Sequence, residues 1–378
     1  MSDKPRLKIT DVRSVPLKVV EEIGEIEPAW NPGRFMPMKI GGGSFVEIHS
    51  DQGLVGIGPA VHSQFISDIK EYLLGKDPFD VEDHAAALNY YVTNFPYQGV
   101  AGADMALWDL IGKASGQPLY KLWGGGRDRV IPYASLIKLS TPEERAELAV
   151  KLKGEGWKAI KLRIHHQTFV EDIPTVETVR KAVGDEMTIM VDGNQAQSSG
   201  DWQPGIQWDF RRAVETAREL QRLGCFWLEE PLLRYAYDDL AKLQSKVEIP
   251  IAGGENNVGV HEFVDMLEKG VYDLLQPESM VLGGITALRK VGVLAETHGK
   301  QIVPHHGGGN IGVIAHLHLV ASWRHAPFME LLHDPPIGDY RHRFAMMANA
   351  PQVDADGYIA VPQGPGLGVE IDRDMIAK

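Results

Sequence analysis

Three stretches decide how this chain folds: Thr188-Ile189-Met190-Val191-Asp192-Gly193-Asn194, Cys225-Phe226-Trp227-Leu228-Glu229-Glu230-Pro231 and Ile249-Pro250-Ile251-Ala252-Gly253-Gly254-Glu255-Asn256. In each, a short apolar run ends on a carboxylate beside a turn residue. Apolar runs of this length, bounded by Gly or Pro, suit strands buried on both faces. The same unit recurs outward along the chain, beginning near Ile131 (IPYASLI), Ala159 (AIKLRI), Tyr272 (YDLLQPE), Gln301 (QIVPHH) and Ala326 (APFMELL). Helical patterns separate these runs. Thr141-Pro142-Glu143-Glu144 offers an N-cap, a proline at the first helical position and a capping-box glutamate. Ala213, Ala217 and Leu220 keep helical spacing from Asp209 to Gly224, and Val176, Val179 and Val183 do so before Gly184. Eight successive strand–helix units predict a (β/α)8-type barrel over 131–345; a doubly wound sheet is the alternative, but eight consecutive units favour closure.

The first 130 residues read differently. Residues 6–60 suggest a twisted antiparallel sheet with a turn at Ser50-Asp51-Gln52-Gly53, and 64–122 suggest helices. The fold class expected is therefore α/β: a barrel with an α+β N-terminal capping domain (1–130), completed by a Pro- and Gly-rich C-terminal segment (346–378) that returns to it.

Composition narrows the function. The chain has 378 residues, 44% hydrophobic and 24% charged, enough to bury a large core. Its formal net charge of -13 argues against nucleic acid as a partner, because phosphate binding wants clustered Lys and Arg. An anionic small molecule stays open, since a bound metal inverts the charge of one cleft. The single cysteine, Cys225, lies among Leu223, Phe226 and Trp227, which predicts a buried structural thiol. The opening MSDKPRLKIT has no apolar leader and no run is long enough to span a bilayer, so the expectation is a soluble cytoplasmic protein that uses no membrane.

In a closed barrel the interior is packed and the active site lies at the C-terminal rim, so polar strand ends carry the information. Strand alternation puts Lys161 and Arg163 on one face of the second strand, with Ile160, Leu162 and Ile164 toward the helices. Asp192 and Asn194 share a face of the third. Glu229 ends the fourth, with Glu230 on the opposite face; Glu255 ends the fifth, Gln276 and Glu278 the sixth, His305 the seventh and Glu330 the eighth. Three acids on adjacent strands would repel one another. Lys161 and Arg163 could neutralise them, but a hard cation such as Mg²⁺ on Asp192, Glu229 and Glu255 explains them better. Zinc is disfavoured without His-rich or Cys ligands. His305, beside Gly307-Gly308-Gly309 and next to Glu278, suggests a His–carboxylate dyad. Asn194 and His306 are expected near the substrate, as are Trp30 and Arg34 in a loop that either closes the mouth or forms an ordinary surface turn. His165 and His166 could line the mouth, with a solvated loop the favoured reading.

These residues resemble the enolase superfamily, in particular its mandelate racemase subgroup, over nearly the whole chain. GADMALWDLIGKASGQPLYKLWGG (102–125) is similar to that family's helix and connector into the barrel. VDGN, WLEEP and GGEN resemble its three metal-ligand strands, LLQPESMVLGGIT and IVPHHGGGNIG its sixth and seventh strands, and FMELL its eighth-strand acid. The resemblance implies abstraction of a proton α to a carboxylate, with Mg²⁺ as cofactor and a homo-oligomer, often an octamer. It implies metal ligands at Asp192, Glu229 and Glu255, a dyad at Glu278 and His305, and catalytic roles at Lys161, Arg163 and Glu330. Two departures stand out. Arg163 occupies the place where the subgroup commonly has a second lysine, and a guanidinium stays protonated. Glu278 stands where Asp is usual. A racemase needs a base on each face of the α-carbon, so these departures favour an acid-sugar dehydratase producing a 2-keto-3-deoxy acid. An epimerase, racemase or cycloisomerase is the alternative, and a barrel without catalysis a more distant one.

Overall fold

The computed structural model describes residues 7–94, 100–197 and 205–377. Most of MSDKPRLKIT, read above as lacking a leader, and residues 95–99 of the helical stretch lie outside that set.

The N-terminal region contains β1 (Ile9–Pro16), β2 (Val19–Ile26), β3 (Met36–Gly41), β4 (Ser44–Ser50) and β5 (Val55–Pro59). The single sheet expected over 6–60 is in fact two. β1, β4 and β5 form one antiparallel sheet, while β2 and β3 pair only with each other. The reason is hydrophobic: Ile26 and Met38 of the hairpin bury against Ile137 and Leu332 at the barrel mouth rather than against the sheet. Ala29 N donates to Ile137 O at 2.8 Å and holds the hairpin there. Helix Ala101–Ser115 lies on β5 at very close range, because a Cβ at Gly58 would sit 2.0 Å from Gly102 O. That approach requires glycine, which explains the small-residue start of the GADMALWDL stretch.

β6 (Arg129–Val130) leads into eight parallel strands. They are β7 (Pro132–Ser135), β8 (Ala159–Arg163), β9 (Thr188–Asp192), β10 (Leu228–Glu229), β11 (Ile251–Gly253), β12 (Leu274–Leu275), β13 (Gln301–Ile302) and β14 (Met329–Leu332). Each of the eight apolar runs contains one of them. Pairing follows chain order from β7 to β13, and β14 returns to pair with β7, with β13 and β14 at the two ends of the ladder. Between those ends Ile302 N donates to His325 O at 3.2 Å. The helices expected between strands are present, including Pro142–Gly154 with the full Thr141–Glu144 capping box and Phe210–Arg222 capped by Asp209.

The barrel interior is plugged by Tyr133, Ala159, Met190, Trp227, Ala252, Leu274 and Val303, with Phe328 packed against them. This layer fixes the site. Two residues beyond each member, on the same face, come Ser135, Lys161, Asp192, Glu229, Gln276, His305 and Glu330. Only β11 breaks the rule, because Gly254 takes φ +115° and delays the acid to Glu255.

The C-terminal segment crosses both regions. β15 (Ile359–Ala360) pairs with β6, Leu119 N donates to Gly366 O, and Ala377 N to Pro16 O. Cys225 is buried and its thiol is pushed up to about 12 by that burial, so it offers no thiolate near neutral pH.

Candidate active site

A cavity of about 230 Å³ opens at the C-terminal rim, lined by Trp30, Arg163, Asn194, Glu230, Glu255 and His305 among others. Beneath it lies a fully buried ionic layer. Lys161 Nζ is 2.7 Å from Glu229 Oε1, 3.0 Å from Glu330 Oε1 and 3.7 Å from Asp192 Oδ2, and the lysine has no exposed surface. Burial alone would lower its pKa, but Glu229 and Glu330 outweigh that and hold it protonated. Glu229 also accepts from Gln276 Nε2 at 2.7 Å and Trp227 Nε1 at 3.1 Å.

Arg163 is equally committed. Its guanidinium donates to Asp192, to Leu136 O at 3.0 Å, to Asn194 Oδ1 at 3.2 Å and to Ser135 Oγ at 3.2 Å. Its outer face lies 5.2 Å from the centre of the Trp30 ring. Asn194, at φ +48°, folds back so that its N–H donates to Asp192 Oδ1 at 2.7 Å.

The opposite wall is built around His305. Its Nδ1 is 2.8 Å from Glu278 Oε2, and its Nε2 faces Glu255 Oε2 at 3.2 Å and Glu330 Oε2 at 3.9 Å. Glu278 is held by three further donors: Gly307 N at 2.9 Å, Met280 N at 2.9 Å and Ser279 Oγ at 3.1 Å. Burial would raise its pKa, but His305 and its neighbours keep it ionised well below the usual range. For His305, burial is outweighed by Glu255, Glu330 and Glu278, which raise it to about 10. The His306 ring lies tilted against His305 with centroids 4.0 Å apart, and its pKa is lowered to about 3, first by burial and then by His305. It is therefore neutral at physiological pH and faces the cavity as a hydrogen-bonding ring.

The donor set fits a divalent cation. Six buried or nearly buried carboxylates, Asp192, Glu229, Glu230, Glu255, Glu278 and Glu330, gather around two permanent cations, Lys161 and Arg163, with His305 and His316 beside Glu278. Among the described residues, neither oxygen of Glu330 has a hydrogen-bond partner, although Lys161 Nζ lies 3.0 Å from Oε1 as an ion pair. Asp192 and Glu230 are pushed upward, Asp192 by burial and Glu229, Glu230 by burial and Glu255. Such a surplus of oxygen donors suits Mg²⁺ or a similar hard ion. Among the described residues, Glu278, His305 and His306 also bring ligand atoms within 4.8 Å of one another.

Most predicted site residues meet at this mouth, with four differences. Glu230 does not lie on the opposite face; at φ +44° it turns back and lines the cavity beside Glu255. Arg34 is exposed and outside the cavity lining, because the turn closed by Asn31 N to Pro28 O points Trp30 inward and carries Arg34 away. Lys161 lies below the cavity rather than in its wall. His165 and His166 are not in a solvated loop: His165 is buried, and His166 Nδ1 pairs with buried Asp172 at 2.9 Å. Sequence reading missed Ser279 and His316, whose Nε2 is 2.6 Å from Ser279 Oγ. His316 sits with His318 in an otherwise apolar, buried helix, and two histidines in such a helix are the signal that could have marked it.

The chain matches the family model described as enolase C-terminal domain-like over residues 144–375, and the mandelate racemase / muconate lactonizing enzyme N-terminal domain over 37–124. Arabinonate dehydratase from Saccharolobus solfataricus is 31% identical over 347 residues, covering 87% of this chain and 88% of its own. D-galactarolactone cycloisomerase from Agrobacterium fabrum is 29% identical over 352 residues, covering 88% and 90%. The crystal structure of D-glucarate dehydratase from Agrobacterium tumefaciens complexed with magnesium superposes with a TM-score of 0.82 at 26% identity, over 98% of this chain and 99% of that one. Both domain models matched in order, on a barrel whose rim carries this ring of acids and bases, make the chain a member of the enolase superfamily, in its mandelate racemase subgroup.

Proposed function

We propose that the protein is a Mg²⁺-dependent dehydratase of acid sugars. One observation carries this reading: only one wall of the cavity holds an acid–base group free to act. His305 opens to the cavity, whereas Lys161 is sealed beneath it and Arg163 is held by four acceptors and by Trp30. A racemase needs a base on each side of the α-carbon, and an elimination does not.

Asp192, Glu229 and Glu255 would hold the cation, with Glu230 at hand. Bound there, Mg²⁺ would supply electrostatic stabilisation of the charge that develops on the substrate carboxylate. With a cation offsetting the charge of Glu255 that helps raise its pKa, His305 would be neutral. Its Nε2 would then take the α-proton, while Glu278 at Nδ1 orients the ring and stabilises its cationic form. The same Nε2–H then protonates the departing β-hydroxyl, which leaves as water. The enol so formed takes a proton at the β-carbon, gives up the proton of its own hydroxyl to solvent and becomes a 2-keto-3-deoxy acid. Lys161 and Arg163 hold the acids in place. Asn194 and His306 line the path of the substrate hydroxyls, and Trp30 covers it.

A second reading is a cycloisomerase, supported by the similar identity to D-galactarolactone cycloisomerase. It uses the same one-sided chemistry, with a lactone carboxylate as leaving group. Incubation with a panel of aldonic and aldaric acids and their lactones in deuterated water separates the readings. Keto-acid formation from an open-chain acid is expected; turnover of lactones alone supports the cycloisomerase. Exchange of the α-proton without elimination overturns both.

A further inference from the structure

A second cavity, of about 550 Å³, lies between the β2–β3 hairpin and the Gly307–Gly309 turn, and it shares no lining residue with the active-site cavity. Its polar walls are Lys39, His342, Arg343 and Asn310, and it contains no Asp or Glu, in a chain whose formal net charge is -13. Its remaining walls are mostly glycine and apolar side chains, Met38 among them.

Arg343 is the unusual member. Among the described residues, no carboxylate pairs with its guanidinium and no acceptor takes a hydrogen bond from it. Nη1 lies only 2.7 Å from where a Cβ would stand on Gly309, so the side chain reaches this position only because residue 309 is glycine. Burial lowers its pKa, and no acid offsets that cost. The side chain is half-buried with its guanidinium reached from the cavity, and its planar fork, unpaired among the described residues, matches an oxyanion in two parallel hydrogen bonds. Asn310 lines the same cavity, and its Oδ1 is buried without a partner among the described residues. Lys39, although paired with Glu22 at 2.8 Å, adds positive potential at the rim.

We propose that this cavity binds a small oxyanion, a carboxylate or phosphate with a short apolar body, anchored on Arg343. The oxyanion lies across the guanidinium and the apolar body lies against Met38. The site is distinct from the catalytic one, but it touches the same turn from behind: Gly307 N donates to Glu278, and Gly309 supports Arg343.

The test is calorimetric titration of the full-length protein with inorganic phosphate and, separately, with butyrate. Saturable binding of at least one is expected, and the tighter of the two identifies the ligand source. Arg343→Met should weaken it at least ~10-fold, Arg343→Lys less, since a lysine keeps the charge but not the fork. Asp192→Asn, which disables the proposed cation site, should leave binding unchanged. Binding that is lost in Asp192→Asn but kept in Arg343→Met lies at the barrel mouth and overturns the proposal, as does the absence of saturable binding. Wild-type crystals soaked in selenate provide an arm that needs no variant to fold. An anomalous peak within hydrogen-bond reach of the Arg343 guanidinium supports the site; its absence there overturns it.

Discussion

The two walls of the barrel mouth are built from similar residue types and do opposite things. On the second and third strands, Lys161, Arg163 and Asp192 are locked together, and each basic group is surrounded by acceptors. On the sixth and seventh, Glu278 and His305 also form an ion pair at 2.8 Å, but the imidazole keeps its second nitrogen toward the cavity. What differs is where the surplus hydrogen-bonding capacity ends. Lys161 and Arg163 direct theirs to acceptors at and beneath the cavity floor. The donors around Glu278 instead hold the carboxylate so that His305 Nε2 points at the cavity, where its near partner is Glu255, itself a proposed metal ligand. A buried, fully paired base is a piece of architecture; a half-buried one with an oriented partner is a proton carrier.

The largest effect that could break this contrast is expected from His305→Asn. Turnover should fall by about 1,000-fold, with the melting temperature and Mg²⁺ affinity nearly unchanged, as followed by keto-acid assay and calorimetry. Activity that survives would move the base to the other wall. Lys161→Met addresses that wall directly. Removing one partner of a buried ion network leaves Glu229 and Glu330 uncompensated, so a loss of about 3 kcal/mol in denaturant unfolding is expected. If stability held while α-proton exchange alone disappeared, Lys161 would be acting on substrate and the contrast would fail. Glu278→Gln should lower kcat by about 10- to 100-fold with little change in KM, because the ring loses its orienting charge rather than a substrate contact. Equal loss in both parameters would show that Glu278 touches substrate. The smallest effect is expected from Trp30→Ala, about a threefold rise in KM at constant kcat, since the ring lies over Arg163 without joining the chemistry. A fall in kcat instead would mean that closure of the hairpin limits turnover.

The barrel was legible because burial on both faces leaves eight apolar runs that no other arrangement of this length accommodates so simply. The strand-end ring was legible for a related reason: period-two alternation ties each polar residue to the plug residue two places earlier, as Lys161 to Ala159 and His305 to Val303. Alternation fails as a guide where the backbone leaves the extended region. Glu230 at φ +44° was assigned to the wrong face for this reason. The N-terminal strands were assigned to one sheet because local pattern does not say which apolar surface a hairpin will choose. Ile26 and Met38 find theirs on Ile137 and Leu332, far away in sequence.

By itself the sequence determined the fold class, the strand ends and the chemical character of the residues on them, since these follow from local periodicity and side-chain type. Only the tertiary structure decided which of the bases is free. The availability of Lys161, Arg163 or His305 depends on how many acceptors surround each nitrogen, and those acceptors come from strands, turns and a hairpin far apart in the chain. The unpaired Arg343 is visible only there too, because the lack of a partner is a property of the space around a side chain.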